Sequence, residues 1–226
     1  GSDVAAIFIE PLPANNGLLP QTKEFLQELR KICDEKKALL VFDEVISGFR
    51  MGFGGMSEKL GIVPDIVTYG KVIGGGFPVG AVAGKKDIME LLAPVGGVYQ
   101  AGTLSANPVA MRAGLETLKK LDNNFYANLE KKADTIANVF SEWLSQHNSL
   151  SDFHILREGS LFWFLPGENI PKTATEIPSN LQARFKELFE VCLNKGIYLS
   201  PNGLEIAFIS DAHNDEIVEE LKKRLW

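Results

Sequence analysis

Four short apolar runs in the first half of this chain constrain its fold most strongly, because each one stops abruptly at polar or glycine residues. The runs are residues 4–9, 38–42, 66–69 and 79–83. Between the first two, Phe25, Leu26, Leu29, Ile32 and Cys33 follow helical spacing, with Thr22 as a candidate N-cap. Strands that are apolar on both faces and separated by helices are typical of a parallel sheet covered on both sides. We therefore predict an α/β fold with a mainly parallel sheet.

The second half predicts a smaller α+β domain. Helical periodicity covers residues 125–144, 181–192 and 217–225, the last with Asn214 as a candidate cap, and apolar strand patterns cover 161–165, 197–199 and 204–209. The pattern breaks at Asp122-Asn123-Asn124. We therefore divide the chain into part of a large domain, residues 1–122, and a small C-terminal domain, residues 123–226.

Charge and cysteine usage exclude several classes of protein. The chain has 23 Lys and Arg against 29 Asp and Glu, and this net charge of -6 argues against a nucleic-acid binder that relies on phosphate contacts. Two cysteines are too few for a disulfide scaffold or a thiolate metal cage. No apolar run approaches the ~20 residues of a membrane span. We expect a reduced, cytoplasmic setting.

The beginning of the sequence suggests a piece of a longer protein. There is no initiator Met, Gly1-Ser2 resembles the remnant of a cleaved fusion, and an apolar strand pattern starts at Val4. Natural chains seldom open in the middle of a core strand, so we expect that residues precede this sequence in the parent protein.

Charged residues follow three of the predicted strands. They are Glu10, the pair Asp43-Glu44, and Lys71. In open α/β sheets, ligands bind beyond the carboxyl ends of the strands, so these groups should project near one crevice. Taken singly, Asp43 could equally be a solvated cap, and Lys71 a surface lysine in a glycine-rich turn.

Lys71 and its glycines suggest a carbonyl-binding cofactor site. Apolar neighbours should desolvate the ammonium and favour the neutral amine, which forms Schiff bases with carbonyls such as that of pyridoxal phosphate. Gly74-Gly75-Gly76 would let the backbone pass close to a flat cofactor. Asp43 could then pair with a protonated pyridine nitrogen. The pattern does not match a dinucleotide-binding loop, a P-loop, a zinc site or a serine-hydrolase elbow.

A second phosphate-binding candidate precedes the small-residue helix pattern at 109–118. Gly102-Thr103 could donate hydrogen bonds to a phosphate from the backbone N–H and the hydroxyl. A Thr or Ser helix cap is the equally common alternative for this segment.

Together these motifs resemble the class III pyridoxal-phosphate aminotransferases, which have fold type I. The strings that carry the resemblance are Leu40-Val41-Phe42-Asp43-Glu44-Val45, Gly48-Phe49-Arg50, Gly70-Lys71, Gly74-Gly75-Gly76 and Pro78-Val79-Gly80. Within the class, residues 98–108 and 196–213 are most similar to the glutamate-1-semialdehyde 2,1-aminomutase branch. The resemblance covers nearly the whole chain.

The resemblance implies a role for each matching residue around pyridoxal 5'-phosphate. Lys71 would bind the cofactor covalently and move protons at the substrate carbon, and Asp43 would keep the pyridine nitrogen protonated. Val45 would pack on the ring, Asn15 would bind its phenolic oxygen, and Glu205 would line the substrate pocket. Gly102 and Thr103 would reach the phosphate of a neighbouring subunit, since such enzymes are homodimers with shared sites. The implied reaction is the conversion of glutamate-1-semialdehyde to 5-aminolevulinate, through the pyridoxamine form of the cofactor, in porphyrin biosynthesis.

The sequence departs from the family pattern in ways that leave alternatives open. The family is about twice as long, and its first half carries the phosphate cup, the stacking aromatic residue and the mobile gate. The family's usual glycine at position 106 is Ala106, and Asn202-Gly203-Leu204 replaces the usual residues before Glu205. A class III aminotransferase with another amino donor is one alternative. A non-catalytic fragment that cannot hold the cofactor is the other.

Overall fold

A computed structural model describes residues 3–226, and the chain divides into two compact units. The first unit comprises residues up to Leu12 together with Gln21–Asn123, and the second comprises Pro13–Pro20 and Asn124–Trp226. The predicted ranges placed residues 13–20 in the first domain, and the structure corrects that assignment. Gly1 and Ser2, interpreted above as a fusion remnant, lie outside the described residues.

The first unit contains a four-stranded sheet with short helices. Its strands are β1 (Ala6–Ile9), β2 (Leu39–Glu44), β3 (Ile66–Tyr69) and β4 (Ala81–Gly84), in that order across the sheet. Its helices are α1 (Lys23–Lys36), α2 (Gly55–Leu60), α3 (Lys86–Met89) and α4 (Pro108–Leu118), with a 3-10 turn at Lys71–Gly74.

The first three strands are parallel, as predicted, but β4 runs antiparallel to β3. Tyr69 pairs with Ala81, and the connection between them is shorter than the dozen or more residues that a parallel crossover needs. The connection at 70–80, which contains the 3-10 turn and the glycines after Lys71, therefore returns the chain alongside β3 in the opposite direction.

The sheet of the first unit is not covered on both sides. Leu40, Val41 and Phe42 of β2 are buried, but Phe8 of β1 is 74% exposed, and every residue of β4 is exposed. The prediction of full coverage is therefore wrong for the two outer strands of this chain. Within residues 3–226, we find no helix that is long and apolar enough to cross a bilayer.

Helix α1 begins where the sequence predicts. The Thr22 side chain accepts a hydrogen bond from the N–H of Phe25, which satisfies one of the unpaired donors of the first turn. Leu26 and Cys33 are the buried residues of this helix.

Asp65, which precedes β3, connects α1, β2 and the end of β4 through its carboxylate. Its carboxylate accepts from Arg30 at 2.7 Å, from the N–H of Leu40 at 2.7 Å and from Lys85 at 2.6 Å. Although its burial alone would raise the pKa, these bonds lower the pKa of Asp65 to about 2.

The second unit packs helices on an antiparallel sheet in the order β5 (Phe153–Glu158), β6 (Leu161–Pro166) and β7 (Ala207–Phe208). Its helices are α5 (Asn123–Gln146), α6 (Leu181–Asn194) and α7 (Asp215–Leu225), with a 3-10 turn at Ala174–Glu176. Asn214 caps α7, as predicted, by accepting from the N–H of Ile217 at 3.0 Å.

Two strand predictions for the second unit need correction. Residues 197–199 form no strand, and only two residues of the predicted strand 204–209 pair with β6. Ile197, Tyr198 and Leu199 instead line a cavity of about 590 Å³, so their apolar character reflects that cavity and not a strand pairing. Strand β5 was not predicted.

Residues 13–20 close the second unit over a buried tryptophan. The N–H of Gly17 donates to the carbonyl of Leu204 at 2.7 Å. The indole N–H of Trp163 donates to the carbonyl of Gly203 at 2.6 Å, and its ring lies directly against Gly17. Gly17 has a φ of +78°, and a Cβ atom there would lie 2.5 Å from the ring, so both the backbone and the space require glycine.

Candidate active site

The ends of β2 and β3 bring the predicted cofactor residues together. Asp43 pairs with Thr68 in the parallel register, so the end of β2 lies beside the end of β3, where Lys71 follows. Val45 lies against Gly70, and a Cβ atom at Gly70 would lie 3.1 Å from Val45 Cγ1. The ends of β2 and β3 therefore lie side by side, and the convergence of Glu10, Asp43-Glu44 and Lys71 on one crevice stays a prediction.

Only one of the two carboxylate oxygens of Asp43 accepts hydrogen bonds from the described chain. Its Oδ1 accepts from the N–H of Val45 at 3.0 Å and from the Thr68 hydroxyl at 3.2 Å. Its Oδ2 accepts no bond from residues 3–226. A half-buried carboxylate with one oxygen fixed and one available can pair with a cationic nitrogen of a ligand. The bond from the Val45 N–H is a local, cap-type bond, whereas the Thr68 hydroxyl comes from the neighbouring strand.

Lys71 opens the 3-10 turn in a strained backbone conformation. Its φ is +46°, which is unusual for a residue other than glycine, and such outliers cluster at functional sites. Its side chain is exposed, so the expected desolvation of the ammonium by its apolar neighbours does not occur in this chain.

The glycines after Lys71 serve packing inside the first unit. Gly75 has a φ of +56°, and a Cβ atom there would lie 2.5 Å from the carbonyl oxygen of Ala113 in α4. A Cβ atom at Gly114 would collide with the carbonyl of Ile73. Helix α4 and the Lys71 turn therefore approach each other closely, backbone against backbone.

Gly102 and Thr103 lie in an exposed turn before α4. The cap of α4 is Asn107, whose Oδ1 accepts from Val109 N at 3.0 Å and Ala110 N at 3.3 Å. The alternative that a Thr or Ser caps this helix is therefore wrong. Among the contacts of the described part of the chain, none joins Gly102 or Thr103 to Asp43 or Lys71.

The remaining predicted residues, Asn15 and Glu205, lie in the second unit. Both are exposed, and Glu205 lines the cavity of about 590 Å³. Most of the cavity wall is aromatic or aliphatic, including Phe140, Phe162 and Phe164. None of the predicted cofactor residues lines it.

Sequence reasoning missed two residues of the site. The Thr68 hydroxyl donates to Asp43. This contact could have been predicted because Thr68 is a polar residue inside an otherwise apolar strand that runs beside Asp43. Glu44 received no role of its own, yet it is fully buried. Its signal was the immediate succession of two carboxylates after a buried strand. The pKa of the neighbouring Tyr69 is raised by burial and by the charge of Glu44.

The arrangement at β2 and β3 fits pyridoxal phosphate. The cofactor needs a carboxylate for its ring nitrogen, an amine for its aldehyde and a small apolar side chain against its ring. Asp43, Lys71 and Val45 provide these groups on two adjacent strand ends.

Comparison with known proteins places the chain in a family. The class III aminotransferase profile matches residues 1–225. Glutamate-1-semialdehyde 2,1-aminomutase of Bdellovibrio bacteriovorus is 49% identical over 97% of this chain and 52% of its own length. The enzyme of the same name from Leptospira interrogans is 50% identical over 96% of this chain and 49% of its own. The chain thus spans about half the length of the curated relatives it matches.

Solved structures agree on the fold. An omega-transaminase from Sphaerobacter thermophilus superposes with a TM-score of 0.86 at 32% identity, covering 97% of this chain and 50% of that one. A glutamate-1-semialdehyde aminomutase from Pseudomonas aeruginosa superposes with a TM-score of 0.81 at 24% identity, covering 99% and 51%. The predicted α/β architecture of fold type I is confirmed, and the chain belongs to the class III aminotransferase family.

Proposed function

We propose that this chain carries the lysine-bearing half of a pyridoxal-phosphate enzyme that converts glutamate-1-semialdehyde to 5-aminolevulinate. The observation that carries the proposal is that Asp43, which has one oxygen available, pairs with Thr68 in the strand that leads into Lys71. The names of the relatives at about 50% identity supply the substrate. A transaminase with pyridoxal phosphate bound, 31% identical with a TM-score of 0.83, supports the cofactor.

The residues of this chain would divide the work as follows. When bound, the cofactor supplies an electron sink next to the substrate carbon. Asp43 keeps a proton on the ring nitrogen, and Val45 restricts the ring from one face. Lys71 anchors the cofactor and then accepts and returns the proton at the substrate carbon. Substrate and product are isomers, so the amino group moves to the neighbouring carbon without an external donor.

Four further residues keep the roles that the family resemblance implies for them. Asn15 would donate to the phenolic oxygen of the ring, and Glu205 would contact the substrate. Thr103 makes no hydrogen bond within residues 3–226, so its hydroxyl is available for a phosphate, together with the N–H of Gly102.

Covalent labelling tests the cofactor assignment. The full-length parent protein is incubated with excess pyridoxal phosphate, reduced with borohydride and mapped by peptide mass spectrometry. We expect the label on Lys71, its loss in Lys71→Ala, and its retention in the matched control Lys86→Ala, whose side chain is 86% exposed. Preferential labelling of another lysine, or no label at all, would refute the assignment.

The omega-transaminase likeness favours a second candidate, an aminotransferase that uses a separate amino donor. A spectral screen of amino acids against the cofactor-loaded parent protein separates the two. An aminomutase should convert the semialdehyde with no donor added, whereas an aminotransferase should require one.

We also infer that the chain by itself holds the cofactor weakly and is inactive, because the family's phosphate cup lies outside these residues. Buried phosphate contacts are charge-assisted and strong, so their loss should weaken binding considerably. Titration with pyridoxal phosphate, followed by absorbance, measures this affinity. A strongly coloured, tightly bound complex of the chain alone would contradict the inference.

A homodimer belongs to the same proposal. The segment from Leu91 to Leu104 exposes several large apolar side chains, and Tyr99 among them is 82% exposed. Exposed apolar patches of this kind mark association surfaces. Sedimentation should reveal a dimer that Tyr99→Glu weakens, and a strictly monomeric parent protein would refute the shared site. We place the enzyme in the cytoplasm, which the free, buried thiols of Cys33 and Cys192 support.

A further inference from the structure

Glu44 is a buried carboxylate at the end of β2, between Asp43 and Val45. It is completely inaccessible to solvent. Its Oε2 accepts from the N–H of Met56 at 2.7 Å and from the Ser47 hydroxyl at 3.2 Å. Its Oε1 accepts from the N–H and the hydroxyl of Ser57, at 3.1 and 2.9 Å. Burying a carboxylate is unfavourable unless donors surround it, and here four donors converge on one group.

These bonds connect the end of β2 to the turn that follows it and to the first turn of α2. Met56 and Ser57 lie in the first turn of α2, and Ser47 lies in the turn that follows β2. Gly55, which has a φ of +62°, leaves the room that the carboxylate needs, because a Cβ atom there would collide with Oε2. The side chain of Glu44 therefore fixes the end of the strand to its turn and to the next helix.

The residues on either side of Glu44 are the two that face the cofactor in the proposed function. The N–H of Val45 holds Oδ1 of Asp43, so the position of the Asp43 carboxylate depends on the backbone immediately after Glu44. The N–H of Gly48 donates to the Glu44 carbonyl at 2.9 Å, which closes the same turn. If the Glu44 side chain is released, the turn loses its four bonds to Ser47, Met56 and Ser57 and keeps the Gly48 backbone bond, so the Val45 N–H should be held less firmly at Asp43.

We propose that Glu44 is a positioning residue that holds the Asp43 carboxylate and the Val45 side chain in place for the cofactor ring. The role towards the cofactor rests on the proposed function. The positioning of the Asp43 carboxylate by Glu44 does not depend on a cofactor and can be measured on the chain alone. Each carboxylate oxygen of Glu44 accepts from one backbone N–H, which can only donate. A glutamine of the same shape would turn its amide nitrogen towards at least one N–H or hydroxyl that needs an acceptor.

Hydrogen exchange measured by NMR on the whole 226-residue chain tests this hold. Glu44→Gln should speed exchange of the Val45 amide by about tenfold or more relative to the amides of β3, because the turn loosens when the buried N–H of Met56 or Ser57 loses its acceptor. Glu58→Gln is the matched control, because Glu58 lies in α2 and accepts an exposed hydrogen bond from the N–H of Gly54. In the control, the Val45 rate should stay within about twofold of the wild-type rate. Equal acceleration across all amides of the first unit would show a purely structural role and overturn the proposal.

A milder variant keeps the test decisive if Glu44→Gln does not fold. Ser57→Ala removes one hydroxyl donor and leaves the carboxylate, so we expect a smaller but still local acceleration at Val45. An unchanged Val45 rate in Ser57→Ala, when Glu44→Gln cannot be folded, would overturn the proposal.

Labelling of Lys71 separates this inference from the proposed function. If wild-type chain is labelled and the variants show no local change at Val45, the cofactor assignment stands and the role of Glu44 fails. If exchange changes locally but wild-type Lys71 is never labelled, Glu44 still holds Asp43 and the proposed function fails. If both hold, Glu44→Gln should need several-fold more pyridoxal phosphate for half-maximal labelling.

Discussion

Asp65 should make the stability of the first unit depend on acid in a calculable way. The carboxylate is only 4% exposed, and its pKa is about 2 instead of the ordinary 3.8. Because the folded-state pKa is depressed, the stabilisation is fully present above the unfolded-state value and is lost as the pH falls through the folded-state value. Each tenfold change in proton affinity is worth 1.36 kcal/mol, so about 2 kcal/mol should disappear between pH 6 and pH 2.

The substitution Asp65→Asn isolates this contribution. The amide keeps the shape but removes the titrating charge that Arg30 and Lys85 contact. Other carboxylates titrate in both proteins, so the wild-type protein should lose about 2 kcal/mol more stability than the variant over the same pH range. The two proteins should therefore become more similar in stability as the pH falls.

The assay must report on the first unit alone. All three tryptophans, at 143, 163 and 226, lie in the second unit, so their fluorescence does not follow the sheet around Asp65. Urea unfolding with pulsed hydrogen exchange of peptides from β2 and β3 gives the required free energy. Asp34→Asn is the control, because Asp34 forms an exposed pair with Arg30 that should contribute less than ~1 kcal/mol. Parallel pH profiles for wild type and Asp65→Asn would refute the reasoning.

For three further substitutions, the backbone conformation or its immediate contacts determine whether the free energy of unfolding rises or falls. Ala106 has a φ of +54°, so Ala106→Gly should stabilise the first unit by about 0.5–1 kcal/mol in the same exchange assay; a loss of stability would contradict this. Gly17→Ala should destabilise the second unit by about 2 kcal/mol or more, because the added Cβ meets the Trp163 ring; unchanged urea unfolding by tryptophan fluorescence would argue against that packing. Asn214→Ala should cost about 1 kcal/mol by the same fluorescence, since α7 loses its cap, and Asp215→Ala, which leaves the cap in place, should cost less.

Local signals in the sequence predicted the features that local physics controls. Thr22 and Asn214 cap helices as expected, because a side-chain oxygen in the right place satisfies a donor only two or three residues away. That the ends of β2 and β3 lie side by side was also predictable, since parallel strands end at the same edge of a sheet.

Features that depend on partners distant in the chain could not be predicted from the sequence. Apolar residues 197–199 looked like a strand, but an apolar run cannot reveal whether it pairs with a neighbour or lines a cavity. The direction of β4 depended on the length of a turn, and not on the pattern of the strand itself. The four donors of Glu44 come from residues 47, 56 and 57, and this convergence became visible only in three dimensions.

The placement of residues 13–20 has a consequence for the order in which this protein is made. Gly17 is synthesised before residues 21–123 of the first unit, but its partners, Trp163 and Leu204, are synthesised only after them. The second unit therefore cannot be completed during synthesis until the chain has been made through Leu204. For the same reason, no single cut in the chain releases the second unit intact: a piece that starts at Asn124 would leave Trp163 without the glycine that covers it.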